Sequence, residues 1–250
     1  MAEEIIEQGY RELADTILEH NPGVDLGRVR AAFELADRAH SGQKRKAGTP
    51  YVTHCVAAAQ ICEEMGLDED SIVAALLHDC IEDTAITHED IARQFGAEVA
   101  DIVEGVTKLT RVQFTSREDE QMENLRKMLM AMAKDIRVIL IKIADRLHNM
   151  RTMEYMVAQK QLEKSLETME IYAPIAHRLG LQKVKLELED LSLKYLDPDG
   201  YHEIITYLDS KADVLNEFMS DVKKKITDRL TEYSIHATVQ RPHIHAIRTI

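Results

Sequence analysis

The chain has 250 residues with only 10 Gly, 5 Pro, 8 Tyr, 4 Phe and no Trp, a composition that disfavours a β-sandwich or barrel and favours a mostly helical protein of one or two domains. Its formal net charge of −13 disfavours direct binding to nucleic acid or to an anionic membrane surface, because phosphate groups would be repelled. The first ten residues lack the features of a signal peptide, and the longest uncharged window, residues 47–62, is too short to span a bilayer. Three cysteines without a CxxC motif are typical of a cytoplasmic protein.

Apolar residues recur at helical spacing along nearly the whole chain, and this pattern predicts a succession of helices. Residues that commonly cap helices precede three of the periodic runs, namely Thr53, Asp68 and Ser116. The predicted helices cover residues 4–20, 28–41, 53–65, 69–82, 88–95, 97–108, 117–133, 135–153, 159–179, 181–195, 200–209 and 211–233.

Two interruptions divide this helical pattern. Residues 41–51 contain two Gly, one Pro and three cations, which predicts a basic loop. Residues 194–200, with the sequence KYLDPDG, predict a boundary, and residues 235–241 beyond it have the pattern of a single strand. One strand cannot form a sheet, so we expect the chain beyond about residue 233 to be poorly ordered or to pair with a partner strand.

The first candidate functional segment is residues 71–83, SIVAALLHDCIED. Its apolar residues at 72–77 cover every side of a helix, which is typical of a buried helix. A step of about 100° per residue places the polar residues that follow on one face. They are His78, Asp79, Glu82 and Asp83. Grouped carboxylates at the end of a buried helix are costly to desolvate, and a cation would relieve that cost; the alternative is a solvated helix end.

The second candidate segment is residues 135–152, DIRVILIKIADRLHNMRT. A polar stripe of Lys142, Asp145, Asn149 and Thr152 falls within about 80° on an otherwise apolar helix. Such a stripe needs a polar partner, although Asp145 could simply pair with a neighbouring cation on the same helix.

A third signal, His54, lies just after the basic loop. A lone histidine is more often structural than a metal ligand, but here the chain order is His54, then His78 with Asp79, then Asp145, each group on a separate predicted helix. Two imidazoles with two carboxylates suit Mn, Fe, Zn or Ni better than Ca.

These motifs make the chain resemble the HD superfamily of metal-dependent phosphohydrolases, and more specifically the hydrolase region of the Rel/SpoT alarmone enzymes. The resemblance extends from about residue 9 to residue 201 and rests on the following blocks: AHSGQKRKAGTPYVTH (39–54), ALLHDCIEDT (75–84), VEGVTKLT (103–110), KIADRLHNMRT (142–152), EIYAPIAHRLGL (170–181) and ELEDLSLKYLDPDGY (187–201).

The resemblance implies an all-α HD hydrolase bundle, a short helical linker bundle and an incomplete start of an α/β synthetase domain, at residues 1–155, 156–196 and 197–250. It implies that a divalent metal ion, usually Mn²⁺, is bound by His54, His78, Asp79 and Asp145. It places two carboxylates, Glu82 and Asp83, to handle the attacking water. It assigns nucleotide binding to Arg45, Lys46, Asn149 and Thr152.

The activity that the resemblance implies is removal of pyrophosphate from the 3′ position of (p)ppGpp, leaving GDP or GTP. Residues 241–250 lack the Gly and Lys of a synthetase ATP loop, so we expect no (p)ppGpp synthesis by this chain. Two alternatives stay open: an HD phosphohydrolase for another nucleotide, such as NADPH or a dNTP, and a regulatory nucleotide-binding module without turnover. The sequence leaves the oligomeric state open, a homo-oligomer included.

Overall fold

The computed structural model describes residues 2–110, 134–235 and 237, and within those ranges the chain is helical, which confirms the all-α prediction. The first seven helices are α1 (Ala2–His20), α2 (Leu26–Ala39), α3 (Val52–Glu64), α4 (Glu69–Leu77), α5 (Cys80–Asp83), α6 (His88–Phe95) and α7 (Ala97–Thr110). The remaining helices are α8 (Ile136–Arg151), a 3₁₀ turn (Met153–Tyr155), α9 (Ala158–Glu167), a π-helical turn (Thr168–Tyr172), α10 (Ala173–Arg178), α11 (Gln182–Leu196), α12 (Pro198–Ser210) and α13 (Ala212–Glu232).

Most predicted boundaries agree with these bounds to within a few residues. Asp68 caps α4 as predicted, because its side chain accepts a hydrogen bond from the Ser71 backbone N–H. The cap predicted at Thr53 is wrong: α3 starts at Val52, and the Thr53 hydroxyl donates to the Pro50 carbonyl instead. Ser116, the helix predicted at 117–133 and most of the strand predicted at 235–241 lie outside the described residues.

The helix predicted over residues 69–82 is interrupted after Leu77. His78 Nδ1 donates to the Ala75 carbonyl at 2.8 Å, and that carbonyl is the one a continuing helix would pair with the N–H of Asp79. The side chain therefore competes with the helical hydrogen bond at this point. As predicted, every residue of the preceding segment, 71–77, is buried.

The helix predicted over residues 159–179 is divided by the π-helical turn between α9 and α10. Pro174 stands at the start of α10. Proline has no N–H, and its ring clashes with the carbonyl four residues earlier in a regular α-helix. A wider π turn just before it accommodates both effects.

Three helices, α3, α4 and α8, form the centre of the described structure. Helix α3 packs on α1, α4 and α8, while α4 also packs on α2 and α7. Small side chains that are completely buried, such as Ala58 on α3 with Ala74 and Ala75 on α4, permit close approach. These contacts bring the start of α3, the end of α4 and the middle of α8 to one place.

The apolar core is continuous from Tyr10 in α1 to Leu188 in α11. It therefore includes side chains on both sides of residue 155, and the division into domains at 155 and 196 stays a prediction. Among the described helices, none combines the length and the apolar character required to cross a bilayer.

Candidate metal centre and adjoining cleft

Four side chains from three helices converge on one buried point. His54 comes from α3, His78 and Asp79 follow α4, and Asp145 lies on α8. The Nε2 atom of His54 lies 3.3 Å from Asp145 Oδ1 and 3.6 Å from Asp79 Oδ2. The Nε2 atom of His78 lies 3.0 Å from Asp79 Oδ2 and 4.0 Å from Asp145 Oδ1. The structure thus brings together all four predicted metal ligands.

The chemistry and spacing of these atoms fit a divalent transition-metal ion. Two donors that each lie about 2.1 Å from one ion at octahedral or tetrahedral angles are about 3.0–3.4 Å apart, close to the distances found here. His78 is completely buried, and among the described residues its Nε2 finds no hydrogen-bond partner, although its Nδ1 donates to the Ala75 carbonyl. A buried nitrogen without a hydrogen bond, aimed at two carboxylates, is what a metal ligand requires.

The carboxylates and the positively charged groups around the four converging side chains shift each other's pKa values. Burial acts to lower the pKa of His78, but Asp79 and Asp145 outweigh it and raise that pKa to about 9. Burial acts to raise the pKa of Asp145, but Lys142 and the two imidazoles hold it well below its ordinary value. A metal ion would take over the role of these positive charges.

Asp145 is also held by the polar stripe of its own helix, including the pairing with a neighbouring cation that the sequence left open as an alternative. Lys142 Nζ lies 2.6 Å from Asp145 Oδ2, and both side chains are almost completely buried. Asn149 donates its Nδ2 hydrogen to Asp145 Oδ1. Arg45 in the basic loop donates to the Asn149 side-chain oxygen at 2.6 Å. A continuous chain of hydrogen bonds therefore joins the basic loop to Asp145, a predicted metal ligand.

The loop that carries Arg45 is a compact turn. The Arg45 N–H donates to the Thr49 carbonyl, and the Gly48 N–H donates to the Arg45 carbonyl, both at 2.9 Å. Gly48 has φ +85°, a left-handed conformation that favours glycine. The turn holds Arg45 beside Asn149 while Lys46 stays exposed.

A cleft of about 740 Å³ opens beside the centre. Predicted nucleotide-binding residues line it: Arg45, Lys46, Asn149 and Thr152. Its wall contains six cations, namely Lys44, Arg45, Lys46, Lys142, Arg146 and Lys164, against two carboxylates, Asp145 and Glu167. In a chain with a net charge of −13, this cleft is a local concentration of positive charge.

The two predicted catalytic carboxylates lie on the one-turn helix α5, where Glu82 is half-buried and Asp83 is exposed. Tyr51 connects Asp83 to the centre, since its hydroxyl lies 2.8 Å from Asp79 Oδ2 and 3.3 Å from Asp83 Oδ2. Burial and the adjacent Asp79 raise the pKa of Tyr51, so the phenol keeps its proton. That proton can be donated to only one of the two carboxylates at a time.

Sequence reasoning missed two residues of the site, Tyr51 and His148. Tyr51 stands three residues before His54, and His148 lies three residues after Asp145 and therefore on a neighbouring face of α8. The rings of His54 and His148 are in contact, with their Nδ1 atoms 2.7 Å apart. Burial and the neighbouring His54 lower the pKa of His148 to about 3, so this ring is neutral. Helical spacing from Asp145 was the one signal in the sequence that could have indicated His148.

Comparison with known proteins supports this description. A family model described as an HD domain matches residues 32–182. The chain is 43% identical over 240 residues to the bifunctional (p)ppGpp synthase/hydrolase SpoT of Escherichia coli K12, covering 95% of this chain and 34% of that protein. It is 44% identical to the guanosine-3′,5′-bis(diphosphate) 3′-pyrophosphohydrolase of Haemophilus influenzae, covering 85% of this chain and 32% of that one. The resemblance found in the sequence is thereby confirmed.

Other relatives carry a different name. The chain is 47% identical to a probable GTP pyrophosphokinase of Mycobacterium leprae, covering 89% of this chain and 28% of that protein. A solved structure of a metazoan ortholog of SpoT that hydrolyses ppGpp aligns with 69% of this chain and 93% of its own, at 27% identity and a TM-score of 0.48. The chain spans between 25% and 34% of the length of the curated relatives it matches.

Proposed function

The chain belongs to the HD domain family, and we propose that it is a metal-dependent (p)ppGpp 3′-pyrophosphohydrolase, which releases pyrophosphate and leaves GDP or GTP. The observation that carries this proposal is the convergence of two imidazoles and two carboxylates beside a cleft lined by six cations. The names of the SpoT and pyrophosphohydrolase relatives support the choice of substrate.

The residues that would hold the metal are His54, His78, Asp79 and Asp145, and we propose Mn²⁺ as the ion. When bound, a divalent ion of this kind lowers the pKa of water and neutralises phosphate charge. The mixed nitrogen and oxygen donor set suits Mn²⁺, and it also accommodates Fe²⁺, Zn²⁺ or Ni²⁺.

In this proposal one of the two carboxylates, Glu82 or Asp83, accepts or relays the proton of the attacking water. The water oxygen bonds to the phosphorus attached to the 3′ oxygen, and the P–O3′ bond breaks. Pyrophosphate leaves, and the 3′ oxygen becomes the ribose hydroxyl by taking up one proton, passed on by that carboxylate or supplied by solvent. Tyr51 positions Asp83, because the hydroxyl that reaches it also lies against Asp79. A single side chain, that of Tyr51, therefore separates Asp83, a candidate base, from Asp79, a proposed metal ligand.

The cleft is assigned to the nucleotide. A volume of about 740 Å³ falls within the usual range of ligand pockets, roughly 300–1,000 Å³. Arg45 offers a planar cation that can stack on a purine or form paired hydrogen bonds with phosphate. Lys46 adds exposed positive charge, whereas Asn149 on α8 and Thr152, just after its end, offer polar groups.

The buried, unpaired cysteines of the described chain support a reducing compartment, the cytoplasm.

The test is incubation of the purified chain with Mn²⁺ and ppGpp, pppGpp, NADPH, a dNTP or GTP, with released pyrophosphate and phosphate measured separately. We expect pyrophosphate from ppGpp and pppGpp, loss of activity after exhaustive chelation, and recovery with Mn²⁺. A preference for NADPH or a dNTP would identify another HD phosphohydrolase, and binding of ppGpp without turnover would identify a regulatory module. A parallel incubation with ATP and GTP tests for the pyrophosphokinase activity that the names of some relatives describe.

A further inference from the structure

The contact between His54 and His148 constrains where protons lie in the centre. The two Nδ1 atoms are 2.7 Å apart, and the rings are tilted by 40° with their centroids 4.8 Å apart. A distance of 2.7 Å is a hydrogen bond. Exactly one proton lies between two nitrogens that share a hydrogen bond, so one ring donates and the other accepts.

The metal site determines the direction of this hydrogen bond. His54 Nε2 faces Asp145 Oδ1 at 3.3 Å and Asp79 Oδ2 at 3.6 Å, and it is the atom that would bind the ion. A nitrogen that binds a metal offers its lone pair, so the proton of a neutral His54 must sit on Nδ1. His54 Nδ1 then donates to His148 Nδ1. The opposite direction requires a proton on His54 Nε2, which would exclude the ion.

The same reasoning assigns the second nitrogen of His148. Since His148 Nδ1 accepts, the proton of this ring sits on Nε2. His148 lines the cleft together with Arg45 and Asn149. A ring on that wall that carries an Nε2–H offers a hydrogen-bond donor to the region where the anionic nucleotide is proposed to bind.

We propose that His148 is a positioning residue with two tasks: its Nδ1 holds His54 in the tautomer that binds the metal ion, and its Nε2–H donates a hydrogen bond to the nucleotide in the cleft. This inference rests on the proposed function, because it takes the four converging side chains as the metal site. Metal-bound histidines usually donate their other N–H to an oxygen acceptor, and a second imidazole serves here instead.

Two substitutions separate the tasks. In His148→Asn the amide oxygen stands near the position of Nδ1 and still accepts from His54, but nothing replaces Nε2–H. In His148→Gln the terminal amide stands near the position of Nε2 and still offers a donor to the cleft, but the acceptor for His54 is lost. The exposed His177 on α10 provides matched controls, His177→Asn and His177→Gln.

The primary measurement is Mn²⁺ affinity by titration calorimetry on chelator-treated 250-residue chain, with circular dichroism to verify folding. We expect His148→Gln to bind Mn²⁺ roughly 10–100-fold more weakly, the usual cost of losing an outer hydrogen-bond partner of a ligand. We expect His148→Asn to stay within about threefold of the unaltered chain for Mn²⁺ while its KM for ppGpp rises roughly tenfold, the effect of one hydrogen bond to a charged group. Both His177 variants should match the unaltered chain.

A second measurement observes the protons directly. Imidazole ¹⁵N spectra of the chain loaded with diamagnetic Zn²⁺ should show His148 protonated on Nε2. Protonation on Nδ1, or unchanged Mn²⁺ affinity in a folded His148→Gln, would overturn the role of His148 while leaving the metal site intact. Absence of Mn²⁺ and Zn²⁺ binding by the unaltered chain would instead overturn the proposed function, and the role of His148 with it.

Discussion

The packing of α7 against α8 can be tested at Gly105 in α7, which faces Val138 in α8. A Cβ added there would lie 2.8 Å from Val138 Cγ2 and 3.3 Å from Val138 Cγ1. Val138 is buried, two turns before Asp145, so it has little space in which to yield. A comparable glycine, Gly9 in α1, would bring its Cβ no closer than 3.6 Å to Val56 Cγ1, an ordinary contact.

These distances set the expected magnitudes. Replacing a helical glycine by alanine stabilises a helix by about 0.8–1.0 kcal/mol, and Gly9→Ala should gain close to that amount. At Gly105 the same gain is opposed by overpacking, which typically costs about 1–3 kcal/mol. The two variants should therefore differ by about 1–3 kcal/mol. At roughly 2–4 °C per kcal/mol for a chain of this size, Gly105→Ala should melt roughly 2–12 °C below Gly9→Ala.

Thermal unfolding followed by far-ultraviolet circular dichroism measures this difference. The double variant Gly105→Ala/Val138→Ala removes the two methyl groups that the new Cβ would meet, so the pair should show favourable coupling of about 1–2 kcal/mol. If Gly105→Ala melts at or above Gly9→Ala, or if the coupling is absent, α7 and α8 do not approach each other as described.

Three further predictions concern the proposed activity. Asp79→Ala should lose Mn²⁺, because one ligand and its negative charge disappear together; calorimetric binding equal to that of the unaltered chain would refute this. Glu82→Gln and Asp83→Asn should each keep the metal and the nucleotide while kcat falls roughly 10²–10⁴-fold, the usual value of general acid–base catalysis, and normal turnover in both would make the carboxylate pair structural. Arg45→Ala should raise KM for ppGpp more than it lowers kcat, since this cation meets the substrate in ground and transition states alike; steady-state kinetics with an unchanged KM and a reduced kcat would contradict that role.

Local sequence determined the helices and the composition of the site. The completely apolar run at 72–77 predicted a buried helix, and the cap at Asp68 predicted its start. The spacing of Lys142, Asp145 and Asn149 predicted the polar stripe that the structure shows as a hydrogen-bonded chain. These features were predictable because they depend on residues a few positions apart, for which helical geometry alone decides which side chains are neighbours.

Two breaks in the helices and one contact between distant residues lay beyond what the helical period predicts. The interruption after Leu77 depends on which carbonyl the His78 ring reaches, and the π turn depends on how the chain accommodates Pro174. Both are local departures from regular geometry that a repeating apolar pattern does not record. Tyr51 was missed because its role depends on a hydroxyl placed between carboxylates 28 and 32 residues away.

The contact between His54 and His148 shows the same limit most clearly. The two rings are separated by 94 residues, and they meet only because α3 and α8 pack on each other. The order of residues in the sequence placed the candidate ligands on separate helices. A hydrogen bond requires a donor–acceptor distance within a range of a few tenths of an ångström, and helical periodicity cannot predict a distance between helices that closely. The sequence thus determined which side chains are available for the site. The packing of α3, α4 and α8 decided which nitrogen of His54 faces the two carboxylates and which faces a second imidazole.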